Sequence, residues 1–332
     1  MRNITVICSG YKKSAGIRVA TQELFGNLFP IYTYNPEDES SSENLNFAEN
    51  IGKLGMNDVV LFSGFDEFCE TIAAELKSHG VKVAVYWHFS VAIEVDEEIG
   101  RSFAALKRAI VAKNVDLFLS CRGATLPVIQ KLFGVKVCYI ANTSMVTSPD
   151  DVKEKRGIGI YSGSTNYWAK NLFTGLYGAL YTGRPIDIFP YEPRLQELVE
   201  QVNATERVTG DYGLRIPHED FLKRVASREL VVCCSFTEAM PMMPLEALNM
   251  GTLALTGPNH DYWTRRGDTG DELRKYLVVP KVDDPTEIAR YIDNAIENRS
   301  KILYLYSEKW KPGWDRYQKD IFDDAINTIA SL

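Results

Sequence analysis

The run Glu229-Leu-Val-Val-Cys-Cys-Ser-Phe-Thr-Glu238-Ala-Met-Pro-Met-Met-Pro244-Leu-Glu246-Ala-Leu-Asn-Met-Gly251 decides how the chain is read. Leu230 to Cys234 has the short apolar form of a buried strand. A polar turn follows, then a short helix that begins at Pro244. Proline suits the first helical position, whose N–H is unpaired in any helix, and Gly251 suits the position just past the end. Glu246 then falls in the first helical turn, where exposed N–H groups favour negative charge. Glu238 sits on the turn after the strand. Two carboxylates thus flank a helix N-terminus, a place where proteins hold phosphate. A carboxylate there repels phosphate unless it binds hydroxyls instead, so the combination points to a sugar nucleotide.

Composition bounds the rest. The 332 residues allow a sizeable core and about two domains. Charged residues at 24% and hydrophobic residues at 45% are ordinary for a globular enzyme. A net charge of −7 argues against a general nucleic-acid binder, which carries a basic surplus. No apolar run approaches the ~20 residues that cross a bilayer. The apolar part of Met1-Arg-Asn-Ile-Thr-Val-Ile-Cys8 is too short for a signal peptide. The six cysteines include no C-x-x-C pair, and Cys8, Cys138, Cys233 and Cys234 lie in apolar runs. Buried reduced thiols and a cytosolic setting are expected.

From the N-terminus, a strand (Ile4 to Ser9), a loop bounded by Gly10 and Gly16, and a helix (Ile17 to Phe25) form a phosphate-approach unit. The dinucleotide fingerprint G-x-G-x-x-G is absent, which counts against a nicotinamide oxidoreductase. Lys12, Lys13 and Arg18 lie nearby and read as solvated. Pro30 to Tyr34 reads as a strand, and the acidic, serine-rich stretch 36–49 as a loop. Further strands are expected at Asp58 to Ser63, Val81 to Trp87, Leu117 to Cys121 and Val135 to Ala141. The intervening helices span Phe65 to His79, Arg101 to Lys113 and Pro127 to Phe133. Arg101, Lys107, Arg108 and Lys113 would suit a membrane surface, but a packed helix with a solvated basic side accounts for them and is the reading adopted. This alternation predicts one doubly wound parallel domain.

Val146 to Arg156 is polar, contains Pro149, and fits a linker. A second α/β run opens with Gly157 to Gly163, and the loop Ser164 to Asn171 leads into a helix running to Leu180. Ile186 to Phe189 and Arg207 to Thr209 read as strands, and His218 as a cap of the helix that starts at Glu219. After the central stretch come a strand at Thr252 to Thr256, another at Leu277 to Pro280, and a helix with an Asp cap and Pro285 at its first position. Trp314, Tyr317, Ile321, Phe322, Ile326 and Ile329 make one apolar stripe on a terminal helix.

Glu238 and Glu246 are separated by seven residues. The block Ser235-Phe-Thr-Glu238, Leu245-Glu246-Ala247 and Gly251-Thr-Leu-Ala-Leu resembles the E-x7-E region of retaining glycosyltransferases with the GT-B fold, family four in particular. Spacing alone is weak evidence, since Glu67 and Glu75 share it on an ordinary amphipathic helix. The strand, turn, proline-started helix and terminal glycine give the second pair its weight. The resemblance implies an α/β chain of two Rossmann-like doubly wound domains facing a central cleft. Residues 1–145 would form an acceptor-binding domain, joined by a C-terminal helix, 314–332, that packs back on it. Residues 146–313 would bind the nucleotide sugar.

The resemblance also implies roles. Glu246 would hold ribose hydroxyls and Glu238 the donor sugar's hydroxyls, with backbone N–H groups of Ala239, Met240, Met242 and Met243 facing sugar or phosphate. His88, after the fourth strand, matches the histidine the family places near the transferred sugar. Gly16 is the candidate for its glycine loop and Ile216 for its nucleobase contact. Lys170, one position later than usual, would neutralise the leaving diphosphate. Ser164 replaces the family's arginine, and Arg215, Arg265 and Arg266 are candidates to compensate. Ala239 and Pro241 replace the glycines of the common E-G-F-G form, and Thr143 the glycine of an Asn-Gly pair.

The expected activity is metal-independent, retaining transfer of a hexose-type sugar from a UDP- or GDP-linked donor. The acceptor would be a glycan, lipid-linked or other hydroxyl group, in bacterial surface polysaccharide or glycoconjugate synthesis. No further cofactor, metal or nucleic acid is expected, and the setting is cytoplasmic with peripheral contact at the inner membrane face as an alternative. The competing readings are a GT-B nucleotide-sugar epimerase and a non-catalytic GT-B protein that binds a glycan or partner. Two-carboxylate glycoside hydrolysis is disfavoured because the chain offers no clear acid partner.

Overall fold

A computed structural model describes residues 2–9, 15–35, 49–144, 146, 155–162, 167–211, 216–260, 262–263 and 267–332. Lys12, Lys13, Ser164, Arg215, Arg265, Arg266 and nearly all of the polar segment 146–156 fall outside the described residues. The chain divides into two compact units, Met1–Thr143 with Arg316–Leu332, and Ser144–Asp315.

The first unit holds a six-stranded parallel sheet of β1 (Asn3–Ser9), β2 (Ile31–Tyr34), β3 (Asp58–Ser63), β4 (Lys82–Trp87), β5 (Leu117–Ser120) and β6 (Lys136–Tyr139), in the order β2-β1-β3-β4-β5-β6. Its central strands are nearly continuous apolar runs because helices cover both faces of a parallel sheet, and Val59, Val60, Leu61, Val83, Ala84 and Val85 are fully buried. The helices are α1 (Ala15–Phe25), α2 (Glu67–Ser78), α3 (Glu97–Val111) and α4 (Leu126–Phe133). Helix α3 starts four residues before the expected Arg101, because the Asp96 side chain accepts from the N–H groups of Glu98 and Ile99 and caps it there. Phe103, Leu106 and Ile110 face the core. On its basic side, Arg108 pairs with Glu70 and Lys107 with Glu94.

The second unit is a five-stranded parallel sheet of β7 (Ile158–Tyr161), β8 (Ile186–Phe189), β9 (Val208–Gly210), β10 (Leu230–Cys233) and β11 (Leu253–Thr256), ordered β11-β10-β7-β8-β9. A helical turn, Tyr167–Lys170, precedes α5 (Leu172–Tyr181); then come α6 (Pro193–Gln201), α7 (His218–Ala226), α8 (Met243–Asn249), α9 (Gly267–Leu277), α10 (Pro285–Glu297) and α11 (Arg299–Tyr304). Leu277 to Pro280 is not a strand. Helix α9 runs through Leu277, and Val278 makes a single parallel bridge to Thr256 before Pro280, which has no N–H to extend a ladder. A π-helical segment, Leu305–Trp310, leads into α12 (Lys311–Ala330), whose residues from Arg316 on belong to the first unit. There Phe322 packs on Phe25, and Gln318 donates to the Asn142 carbonyl at 2.7 Å.

Helix α8 ends as its sequence requires. Gly251 adopts φ +67°, Gly251 N–H donates to Leu248 O, and Thr252 N–H donates to Ala247 O, the paired bonds of a Schellman end. The remaining carbonyls meet cations: Lys155 donates to Met250 O at 3.0 Å, and Arg299 to Gly251 O.

Helix α7 is anchored from below. Arg224 donates to both oxygens of Asp187 on β8, at 2.5 and 2.6 Å, and the Tyr161 hydroxyl of β7 donates to the same carboxylate at 2.5 Å. The Arg224 and Asp187 side chains are only 14% and 6% exposed. Removing one member of a buried pair strands the other. Asp187→Ala should therefore lower unfolding stability by about 3 kcal/mol, seen as a reduced urea midpoint. A midpoint equal to that of the unaltered protein would show that this network does not hold α7.

Candidate functional site

Taken in chain order, the second sheet runs third, second, first, fourth, fifth strand, so its direction of growth reverses between β7 and β10. Crevices at such reversals, beyond the strands' C-terminal ends, are where open α/β sheets hold ligands. The segments leaving these two strands carry Lys170 and Glu238, and the Lys170 ammonium donates to Glu238 Oε1. Ser235 Oγ donates to the same oxygen at 3.0 Å. The two charged side chains are 26% and 16% exposed, so each is held largely by its partner.

The backbone fixes this meeting. Asn171 takes the left-handed conformation, φ 54°, and separates the Lys170 turn from α5. Its buried amide donates to Cys234 O at 3.0 Å and Val282 O at 2.6 Å, while Phe236 N–H donates to Ala169 O at 2.9 Å. The Lys170 turn is thereby tied to the exit of β10. Burial raises the Cys233 and Cys234 thiols well above the usual range, so both stay protonated beside this pair.

Glu246 lies in the first turn of α8 with its side chain 4% exposed, and its Oε1 is 3.0 Å from Nε2 of His218. An ionised carboxylate only accepts, so Nε2 carries the hydrogen and donates. His218 is the first residue of α7 and serves Glu246, where the sequence reading made it a helix cap. Its place after β9, on the same sheet edge as Lys170 and Glu238, was the signal available for it. Ile216 lies two residues earlier and is half-buried.

The turn between the glutamates is closely packed. Ala239 and Met240 are buried, Met242 and Met243 half-buried, and the Tyr262 hydroxyl donates to Pro241 O. Helix α8 begins at Met243, with Pro244 second, because Leu245 and Glu246 N–H both bond to Met242 O. At seven residues it is short.

His88 and Gly16 belong to the first unit. Gly16 lies inside α1 rather than in the loop before it; its φ is not in the left-handed region, and a Cβ there would meet open space. His88 follows β4, with Nε2 2.8 Å from Ser63 Oγ at the end of β3; Ser63 in turn lies 2.6 Å from Thr21 Oγ1. The ring rests on Tyr86 with centroids 3.9 Å apart. Burial lowers the His88 pKa to about 3, so the imidazole is neutral. Ser164 falls outside the described residues. Among the described residues, no group of three or more His, Cys, Asp or Glu has metal-binding geometry.

Solved structures resemble the whole chain. Sucrose-phosphate synthase from Thermosynechococcus elongatus superposes with a TM-score of 0.70 at 14% identity, covering 100% of this chain and 99% of that one. The fold is GT-B. The N-terminal domain of trehalose-6-phosphate phosphatase from Candida albicans gives 0.65 at 9% identity, covering 100% and 97%. The pneumococcal O-GlcNAc transferase GtfA, solved with UDP and GlcNAc, gives 0.55 at 14% identity over 87% of this chain. The chain spans 60% of GtfA's length. No protein-family model and no curated protein sequence matches the chain. At these identities the likeness establishes the fold, and a fold hosts many activities.

A histidine with its pKa near 3 has a distinct signature. Of the four histidine ring resonances, the one lost in His88→Asn should not titrate between roughly pH 5 and 8. The sign of the linkage is fixed as well: the unfolded histidine binds its proton more readily, so His88's contribution is complete above pH 6.5 and is lost as pH falls toward 3. A midpoint near 6.5 for that resonance would contradict the burial.

Proposed function

We propose that the protein is a retaining glycosyltransferase that moves a hexose-type sugar from a UDP- or GDP-linked donor to a hydroxyl acceptor, without a metal. The observation that carries this reading is that Lys170 pairs with Glu238 and that both, with Glu246, lie close enough to Cys233 at the end of β10 to act on its thiol. GT-B architecture and GtfA's complex with UDP support it.

Each side chain has a task on this reading. Glu246 accepts hydrogen bonds from the ribose hydroxyls. Glu238 accepts from the donor sugar's hydroxyls and fixes the ring. Lys170 exchanges its carboxylate partner for the diphosphate as negative charge builds on the leaving group, a fixed charge placed where transition-state charge develops. On the family's pattern, His88 would, being neutral, offer a hydrogen bond rather than a proton. Ala239, Met240, Met242 and Met243 line the turn between the carboxylates, and Ile216 lies toward the base. The acceptor attacks the sugar from the face the diphosphate leaves, so no protein nucleophile is needed. Residues 1–145 would hold that acceptor, and its assignment to surface polysaccharide or glycoconjugate synthesis rests on family resemblance alone.

A panel of UDP-, GDP- and ADP-sugars read by thermal shift tests the reading, since a ligand bound only by the folded state raises Tm. One member should stabilise the protein. Glu246→Ala should weaken that nucleotide by about 10- to 100-fold, as expected for lost hydrogen bonds to a charged acceptor. Lys170→Ala should lower kcat by about 100-fold while changing donor affinity far less. Binding of no nucleotide would favour a non-catalytic GT-B protein, and donor turnover without acceptor would favour an epimerase.

A further inference from the structure

We infer that His218 is a positioning residue for Glu246 and, through it, sets how strongly the site distinguishes a ribose from a 2′-deoxyribose. This rests on the proposed reading of Glu246 as the ribose ligand. It adds a residue that the sequence resemblance did not supply.

The terminal torsion of a glutamate is broad, so burial alone does not define the plane of its carboxylate. Glu246 is 4% exposed, and the bond from His218 Nε2 to Oε1 is the side-chain hydrogen bond it receives from the described residues. That bond takes one oxygen and fixes the plane. Oε2 receives no hydrogen bond from the described residues, so it keeps its acceptor capacity for a vicinal diol. A carboxylate has about four acceptor sites, so one that gives a single site to His218 can still accept from two neighbouring hydroxyls.

The histidine is itself held in place. It opens α7, and six residues on, Arg224 fixes that helix to Asp187 on β8. His218 is thus delivered from a helix whose position is set by the sheet beneath it. Its side chain is 38% exposed, against 4% for Glu246, so the histidine lies nearer the surface than the carboxylate it holds. Ile216, two residues before it, comes from the same segment, so one short stretch of chain would address both base and sugar of the nucleoside.

The test compares UDP, GDP and ADP with their 2′-deoxy counterparts by calorimetry, in the unaltered protein and in Glu246→Ala, His218→Ala and His218→Gln. The unaltered protein should prefer the ribonucleotide by about tenfold or more, the worth of a hydrogen bond to a charged group. Glu246→Ala should lose the preference. His218→Ala should reduce it several-fold with little change in affinity for the 2′-deoxy ligand, which a general loss of structure would also weaken. His218→Gln, whose amide can donate from a similar reach, should recover part of it. An undiminished ribose preference in His218→Ala, with the preference lost in Glu246→Ala, overturns the inference and leaves the Glu246 reading standing. A preference that survives Glu246→Ala, or no diphosphate binding at all, overturns both.

Discussion

The second unit depends on the reversal of strand order between β7 and β10. A parallel sheet must return each strand through a crossover, and the crossovers from these two neighbours lead to opposite edges. The space above their C-terminal ends is therefore crossed by neither connection. Lys170 reaches it from one side and Glu238 from the other, and Asn171 ties the two exits together through Cys234 O. Helix α8 is the next element after β10, with nine residues, 234–242, between them, so Glu246 arrives at the same edge.

Charge explains why so short a helix holds its place. Its last carbonyls are met by Lys155 and Arg299, both of which also bind the chain beneath, at Ala226 O and Glu229 O. Burial, then the nearby Arg299, lowers the Lys155 pKa to about 8. A cation accepts that cost where several carbonyls surround it. At the other end a buried carboxylate faces the opening turn. The helix is held between fixed charges of the sign its termini favour, and that arrangement survives in a segment with little intrinsic helical stability of its own.

Most of this architecture could be read from residue order. The strands around Val59, Val83 and Val231 are continuous apolar runs, and Asp284-Pro285 marks a helix start that the structure places at that residue. Gly251 announces the end of α8 in the same way. Other elements were illegible for physical reasons. Asp96 caps α3 from outside the apolar period that defines it, so the period alone starts the helix late. Helix α6 is an exception, since Pro193 and the helical spacing of Leu195, Leu198, Val199 and Val202 made it legible although it was not among the expected elements. In the site, Glu238 and Glu246 were visible as a motif, whereas His218 was not: its partner lies 28 residues away, and only the sheet brings α7 to α8.

Burial and partners, not spacing, separate the two E-x7-E pairs. Glu67 and Glu75 lie on one helix, α2, both exposed. Water satisfies them, and neither side chain accepts a hydrogen bond among the described residues. Glu238 and Glu246 have the same separation, but a turn bends the chain between them and both are largely withdrawn from water. A carboxylate so placed is costly unless it is bonded; Lys170 and Ser235 Oγ donate to the first and His218 Nε2 to the second. Those partners explain how the free protein tolerates the two charges. On the proposed reading they also explain the order of binding. The diphosphate offers Lys170 a stronger partner than Glu238 and releases that carboxylate toward the sugar, while His218 keeps Glu246 aimed throughout. The motif is then less a pair of residues than a pair of bonded carboxylates, one with an exchangeable partner and one with a fixed partner.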